Sequence, residues 1–129
     1  MTHSFPVRVY YEDTDLAGIV YYANYLKFIE RGRTEFVRAR GIDQARLREE
    51  TGIVFAVRRV EAVYLLPARF GDDLSVETEV DEIKRASLVM VQRVTRGGEV
   101  LFSARVVLVA LTGDGAAARL PADIRRVLT

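Results

Sequence analysis

Residues 10–25 read YYEDTDLAGIVYYANY and contain the transition from a strand into the longest predicted helix. The β-branched and aromatic residues before them predict a first strand over Val7–Glu12. Asp13, Thr14 and Asp15 favour a turn, which Gly18 extends. A helix start offers unpaired backbone N–H groups and a partial positive charge. The stretch therefore predicts a carboxylate held beside free amide hydrogens, an arrangement suited to acyl transfer.

The helix predicted next extends from about Tyr22 to Arg40, because its apolar and small residues recur at spacings of three and four. These residues are Tyr25, Phe28, Ile29, Gly32 and Phe36. Glycine in this stripe costs about 1 kcal/mol relative to alanine, so we expect Gly32 to pack closely against a sheet. Gly41 is the predicted C-terminal stop. A shorter helix is predicted over Ile42–Thr51, with Asp43 as its cap.

The remaining chain is predicted to form a mainly antiparallel sheet, in which Pro67 ends the first strand. The predicted strands are Ile53–Leu65, Leu74–Asp81, Leu88–Thr95 and Val100–Leu111. Gly97 and Gly98 allow the positive φ of a tight hairpin turn between the last two. Residues 106–111 are apolar on both faces, which indicates a strand in the middle of the sheet or at a subunit contact. A short helix is predicted over Pro121–Leu128.

This order of elements predicts a single α+β domain over residues 1–129, with a curved antiparallel sheet wrapped around one long helix. One helix leaves a face and both edges of such a sheet poorly covered. We therefore expect a homodimer with joined sheets, or a homotetramer.

The composition excludes several classes of function. With 19 basic and 18 acidic residues the net charge is +1, which gives no field for gathering nucleic acid. No apolar run approaches the roughly 20 residues of a membrane span, and the first residues lack the features of a secretory signal, so a cytoplasmic location is expected. There is no cysteine, and the single histidine, His3, is expected in a mobile N-terminal tail. A thiol nucleophile and a cysteine zinc site are thus excluded, and a Ser–His pair would have to recruit His3.

The motif formed by Tyr11–Asp15, Gly18–Tyr22 and Asn24–Tyr25 resembles that of the hotdog-fold acyl-CoA thioesterases. Two branches match best, the 4-hydroxybenzoyl-CoA thioesterases and the acyl-CoA thioesterases associated with the Tol-Pal system. The resemblance extends from Val7 through Leu111. It implies subunits that join their sheets, active sites at the subunit interface, and an acyl- or aroyl-CoA thioester as substrate.

The resemblance also assigns roles to individual residues. It implies that Asp15 is the catalytic carboxylate and that the backbone N–H of Tyr22 binds the thioester carbonyl. Tyr11 matches a tyrosine near the site in the Tol-Pal-associated branch. That branch usually has histidine at the position of Tyr22, where this chain is more similar to the hydroxybenzoyl-CoA branch. The family's nucleotide contacts correspond to Lys84, Arg85 and Ser87.

The residues themselves leave alternatives open. Asp15 fits a nucleophile, a general base on water, or a turn-forming residue with no catalytic role. Asp13 is expected to cap the turn. Glu30 fits either a group that orients water or substrate, or an ordinary solvated residue. Tyr25 fits an acyl pocket or the core.

Coenzyme A carries phosphates, which call for a local basic group. Arg58 and Arg59, within a strand, are the other candidates besides Lys84 and Arg85. The proposed hydrolysis needs no metal or prosthetic group. The alternatives are a non-catalytic acyl-binding or scaffold protein of envelope or lipid machinery, and a hotdog-type hydratase, which usually needs a histidine that this chain lacks.

Overall fold

The computed structural model describes residues 2–129, in which five strands form one antiparallel sheet in the order β1-β3-β4-β5-β2. The strands are β1 (His3–Arg8), β2 (Val54–Tyr64), β3 (Asp73–Ile83), β4 (Ser87–Arg96) and β5 (Glu99–Leu111). The helices are α1 (Asn24–Ala39), α2 (Gln44–Thr51) and α3 (Ala122–Leu128). The predicted α+β architecture, a curved sheet with one long helix, is confirmed.

Helix α1 packs on the sheet through the apolar stripe predicted from its spacing. Phe28, Ile29 and Phe36 are fully or almost fully buried, and Gly32 lies where the helix approaches β3. A Cβ atom added at Gly32 would overlap the side chain of Val76 and lie 3.3 Å from Thr78 Oγ1. The predicted close approach of helix and sheet at Gly32 is therefore confirmed.

A buried polar cluster fixes the position of α1 along the sheet. Gln92 on β4 donates from Nε2 to the carbonyl of Ile29 (2.9 Å) and to Thr78 Oγ1 (2.9 Å). Arg33 donates from Nη1 to Gln92 Oε1 (3.0 Å). Gln92 and Thr78 are fully buried, so loss of Gln92 would leave Thr78 Oγ1 without its hydrogen bond, and loss of Arg33 would leave Gln92 Oε1 without its donor. Burial lowers the pKa of the Arg33 guanidinium.

The predictions for the N-terminal segment are partly wrong. The first strand is His3–Arg8 rather than Val7–Glu12, and a 3-10 turn follows at Tyr11–Asp13. The turn forms because Asp13 Oδ2 accepts from the Tyr10 N–H (2.8 Å), and this bond replaces strand pairing. It also confirms that Asp13 caps the turn.

His3 was expected in a mobile tail, but it lies in β1 opposite Thr78, and its ring packs edge-on against Phe36.

Later elements follow their predictions closely. Asp43 caps α2, with Oδ1 accepting from the Arg46 N–H (3.1 Å). Gly97 and Gly98 have φ of +57° and +85° in the β4–β5 hairpin. Strand β5 lies between β4 and β2, which confirms the predicted place in the middle of the sheet, although Val107, Val109 and Leu111 on its second face are only half-buried.

The sheet ends in two edge strands, β1 and β2. No helix within residues 2–129 is both long enough and apolar enough to cross a membrane.

We predict that Gly32→Ala destabilises the protein, although alanine favours helix by about 1 kcal/mol. The added methyl group must displace Val76, which is fully buried, and overpacking of this kind typically costs about 1–3 kcal/mol. Chemical denaturation measures the change. Gly113→Ala is the control, because a Cβ there meets no atom within 4 Å. A stabilised Gly32→Ala variant would show that the helix does not approach the sheet this closely.

Candidate active site

The loop before α1 holds Asp15 in a tight turn. The Asp15 N–H donates to the Ile19 carbonyl (2.9 Å), and the Gly18 N–H donates to the Asp15 carbonyl (2.9 Å), with Gly18 at a φ of +77°. The Asp15 Oδ1 atom accepts from the Ala17 N–H (2.9 Å). The other oxygen, Oδ2, has no donor among residues 2–129. Asp15 is therefore a turn-forming residue and also presents a free carboxylate oxygen at the surface.

The first residues of α1 are tied to this loop through one carbonyl group. The Asp13 carbonyl accepts from the Tyr21 N–H (2.9 Å) and from Asn24 Nδ2 (2.9 Å). The Asn24 N–H donates to the Tyr21 carbonyl (2.8 Å), and the helix begins at Asn24, two residues later than predicted. Within the described chain, the N–H groups of Tyr22 and Ala23 have no acceptor. These are the free amide hydrogens expected beside Asp15.

A cavity of about 470 Å³ brings the two predicted groups together. Asp15 and Tyr22 both line it. The remaining wall is mainly apolar and aromatic and includes Tyr21, Tyr25, Leu65 and Leu66. The carboxylate and the start of the helix thus face one space that is suited to an acyl or aroyl group.

Tyr25 belongs to both the core and the cavity wall. It is 3% exposed, and its ring stacks on Phe102 with centroids 4.9 Å apart. Its hydroxyl accepts from the Ala68 N–H (3.1 Å), and burial raises the pKa of Tyr25. Tyr25 is therefore a core residue that also lines the cavity, and its contact with an acyl group stays a prediction.

Two residues of the site were not identified from the sequence. Tyr64, at the end of β2, donates from Oη to the Tyr22 carbonyl (2.9 Å), and burial raises the pKa of its hydroxyl. Asn24 belongs to the motif, but its bond to Asp13 was not foreseen. No local pattern signals either contact, because the partners are 42 and 11 residues apart in the chain.

Other predicted site residues lie away from this cavity. Tyr11 is 83% exposed, and its carbonyl accepts from Thr14 Oγ1 (2.7 Å). Glu30 accepts from Thr34 Oγ1 and lines a second cavity of about 210 Å³, which is bounded by α1 and by β2, β4 and β5.

The basic turn, which we define as Lys84, Arg85 and Ser87, lies at the opposite end of the sheet from Asp15. Ser87 pairs with Val109, near the end of β5, whereas Tyr64 at the cavity pairs with Phe102, near its start. The Lys84 N–H donates to the Ser87 carbonyl (2.8 Å). The basic turn and the cavity are therefore not brought together within this chain.

The described residues contain no group of three His, Asp or Glu side chains placed to hold a metal ion. His3 lies in β1, outside the residues that line the cavity.

Comparisons with known proteins agree with this geometry. Residues 9–128 match the Thioesterase-like superfamily. The acyl-CoA thioesterase YbgC of Haemophilus influenzae is 48% identical over 103 residues, which are 80% of this chain and 76% of that protein. The acyl-CoA thioester hydrolase YbgC of Escherichia coli O6:H1 is 43% identical over 104 residues, which are 81% of this chain and 77% of that protein.

Solved structures give the same result. A probable thioesterase from Bartonella henselae superposes with a TM-score of 0.89 at 35% identity, covering 94% of this chain and 100% of that one. A mutant 4-hydroxybenzoyl CoA thioesterase complexed with 4-hydroxybenzoyl CoA superposes with a TM-score of 0.94 at 25% identity, covering 99% of both chains. The resemblance and the hotdog fold inferred from the sequence are confirmed, and this chain belongs to the Thioesterase-like superfamily.

Proposed function

We propose that the protein is an acyl-CoA thioesterase, which hydrolyses an acyl- or aroyl-CoA thioester to the free acid and coenzyme A. The observation that carries this proposal is the cavity lined by both Asp15 and Tyr22, which brings a carboxylate side chain and the residue before α1 to the same space. The acyl-CoA thioesterase names of the relatives and the aroyl-CoA ligand of the structural neighbour support it.

In the proposed reaction the Tyr22 N–H donates to the thioester carbonyl oxygen and stabilises the negative charge that develops there. Loss of one such donor typically costs about 2.7–4 kcal/mol of transition-state stabilisation. Asp15 either removes a proton from the attacking water or attacks the carbonyl carbon itself. Direct attack gives a mixed anhydride, which water hydrolyses to regenerate Asp15. In both routes the C–S bond breaks, the CoA thiolate leaves and is protonated, and no metal or prosthetic group takes part.

The walls of the cavity suit the acyl part of the substrate. Tyr21, Tyr25 and the β2 end at Leu65 and Leu66 offer an aromatic and apolar lining. Tyr11 does not line the cavity; it lies in the turn that precedes the Asp15 loop, and we propose that it contacts the substrate there, outside the cavity. Each methylene group changes discrimination by only about 1–3 kcal/mol, so a few side chains on this lining decide between short, long and aromatic acyl groups.

A second copy of the chain would cover the exposed edge strand β2. Val63 and Leu65 are each more than half exposed at this edge (54% and 53%), and the neighbouring apolar residues Val57, Val60, Tyr64 and Leu66 are 38–47% exposed. An unpaired apolar edge of this kind favours pairing with another strand. We propose a homodimer that joins two β2 edges, with a homotetramer as a further assembly. The cytoplasmic location and the association with the Tol-Pal system stay predictions.

The dimer would also bring phosphate-binding groups to the cavity. In one protomer the basic turn and the cavity are separated by most of the length of a strand, roughly 20–30 Å at about 3.3 Å per residue. Antiparallel pairing of two β2 strands reverses the direction of the second sheet, so its basic turn approaches the cavity. Lys84, Arg85 and Ser87 of the partner would then contact the CoA phosphates.

Glu30 of the partner would approach the Asp15 cavity in the same way. The cavity beside Glu30 is bounded by Phe55 and Val57, at the end of β2 opposite Tyr64. We propose that Glu30 orients water or substrate across the interface.

We predict that Asp15→Asn lowers kcat/KM by roughly 10²–10⁴-fold, because the amide neither accepts a proton from water nor attacks the carbonyl. The measurement is thiol release from a panel of CoA esters that spans acyl length and aroyl groups. Asp43→Asn is the control, since Asp43 is also exposed and asparagine caps a helix equally well.

Equal activity of Asp15→Asn and the unaltered protein would show that the Asp15 assignment is wrong. Failure of both to release thiol from any ester would favour the non-catalytic acyl-binding or scaffold protein.

We predict that the double variant Lys84→Glu/Arg85→Glu raises KM for CoA esters by at least about 10-fold, since each charged hydrogen bond is worth about 1.5–3 kcal/mol. The effect should shrink at high salt, which screens exposed charges. Arg46→Glu/Arg48→Glu on α2 changes the net charge equally and is expected to leave KM unchanged. An identical rise in KM for both double variants would mean that only the overall charge matters.

Mixed dimers test whether the site is shared between subunits. Chains that carry Asp15→Asn are mixed with chains that carry Lys84→Glu/Arg85→Glu. Each heterodimer then has one site in which Asp15 is intact and the basic turn, supplied by the other chain, is also intact. Random mixing should then restore roughly a quarter of the normal kcat/KM. About half of the dimers are heterodimers, and one of the two sites in each heterodimer is intact. Restoration would fail if each site took both elements from a single chain.

A further inference from the structure

Tyr64 makes a contact that the proposed reaction does not yet use. Its hydroxyl donates to the Tyr22 carbonyl at 2.9 Å. Its ring is held by three aromatic neighbours, with centroids 6.2 Å from Tyr22, 5.5 Å from Tyr25 and 5.0 Å from Phe102. Tyr64 is 46% exposed, and these three ring contacts together with the hydrogen bond orient its hydroxyl beside the start of α1.

The Tyr22 carbonyl has no part in the hydrogen bonding of the helix itself. The Leu26 N–H, at the first turn, donates instead to the Ala23 carbonyl (3.2 Å). Among residues 2–129, the hydroxyl of Tyr64 is the group that donates to the Tyr22 carbonyl. On the preceding residue, the Tyr21 carbonyl accepts from the Asn24 N–H (2.8 Å). Both carbonyls that flank the candidate oxyanion donor are therefore bonded.

Fixing these carbonyls also fixes the amide hydrogens. A peptide group is planar and trans, so the direction of its C=O determines the direction of its N–H. The Asn24 bond holds the plane that carries the Tyr22 N–H, and the Tyr64 bond holds the next plane, which carries the Ala23 N–H. Within the described chain both N–H groups lack an acceptor, so two adjacent donors are oriented in advance and left free.

We propose that Tyr64 is a positioning residue of the thioester site, an inference that rests on the proposed function. Its hydroxyl holds the peptide plane next to the Tyr22 N–H and polarises the peptide group of Ala23. Donors that are oriented in advance need no reorganisation when the oxyanion forms, so the contact acts on the transition state more than on bound substrate. Tyr64 reaches the reacting atoms only through the Tyr22 carbonyl.

The test is Tyr64→Phe, which keeps the ring and removes only the hydroxyl. We expect kcat to fall about 10- to 100-fold, as for a small misplacement of a catalytic group, while KM stays within about twofold. Tyr10→Phe is the matched control, because Tyr10 is 58% exposed and does not line the cavity. Unchanged kcat, or a rise in KM with unchanged kcat, would overturn the proposal.

A spectroscopic measurement separates positioning from a loss of folding. Benzoyl-CoA bound to the Asp15→Asn variant should show a C=O stretch at lower frequency than free benzoyl-CoA, because the N–H donors polarise the carbonyl. Adding Tyr64→Phe should return the frequency toward the free value, at a temperature where circular dichroism shows both variants folded. The same frequency in both variants would contradict the proposal.

The two proposals fail in different ways. If the unaltered protein releases no thiol, or Asp15→Asn keeps full activity, the proposed function is wrong and the role of Tyr64 is withdrawn with it. If Asp15→Asn is inactive and Tyr64→Phe retains its kcat, only the positioning role is wrong.

Discussion

The carbonyl oxygen of Asp13 joins the two halves of the candidate site. It accepts hydrogen bonds from the Tyr21 N–H and from Asn24 Nδ2, each at 2.9 Å. One bond partner precedes the helix and the other is its first residue, so the loop that carries Asp15 and the start of α1 cannot move independently. Asp15 and Tyr22 are thereby held together at the cavity that both residues line.

The hydrogen bonds to the Asp13 carbonyl would not position the site if α1 could shift on the sheet. Gly32 brings the helix against Val76, and Gln92 holds the Ile29 carbonyl from β4. These contacts fix the position of the helix on the sheet. Tyr64, on β2, holds the residues just before the helix by donating to the Tyr22 carbonyl. The rigid core thus places the amide donors, and the exposed loop supplies the carboxylate.

Features set by local chemistry could be predicted from the sequence. The spacing of Phe28, Ile29 and Phe36 predicted the buried face of α1, and paired glycines identified the β4–β5 hairpin.

Features that depend on partners distant in the chain could not be predicted from the sequence. The position of β1 depends on its pairing with β3, so His3 was expected in a mobile tail, whereas it lies opposite Thr78. The bond from Tyr64 to Tyr22 likewise joins residues that no short-range pattern relates. The family resemblance supplied the roles of Asp15 and Tyr22, which composition alone left open, and the separation of the basic turn from Asp15 became visible only in three dimensions.

The most direct test is a crystal structure of the Asp15→Asn variant with a CoA ketone, in which a methylene group replaces the thioester sulfur. We predict a dimer in which the ketone oxygen lies about 3 Å from the Tyr22 backbone nitrogen, with residue 15 beside the carbonyl carbon. A ligand whose carbonyl lies away from the start of α1, for example in the cavity beside Glu30, would contradict the account.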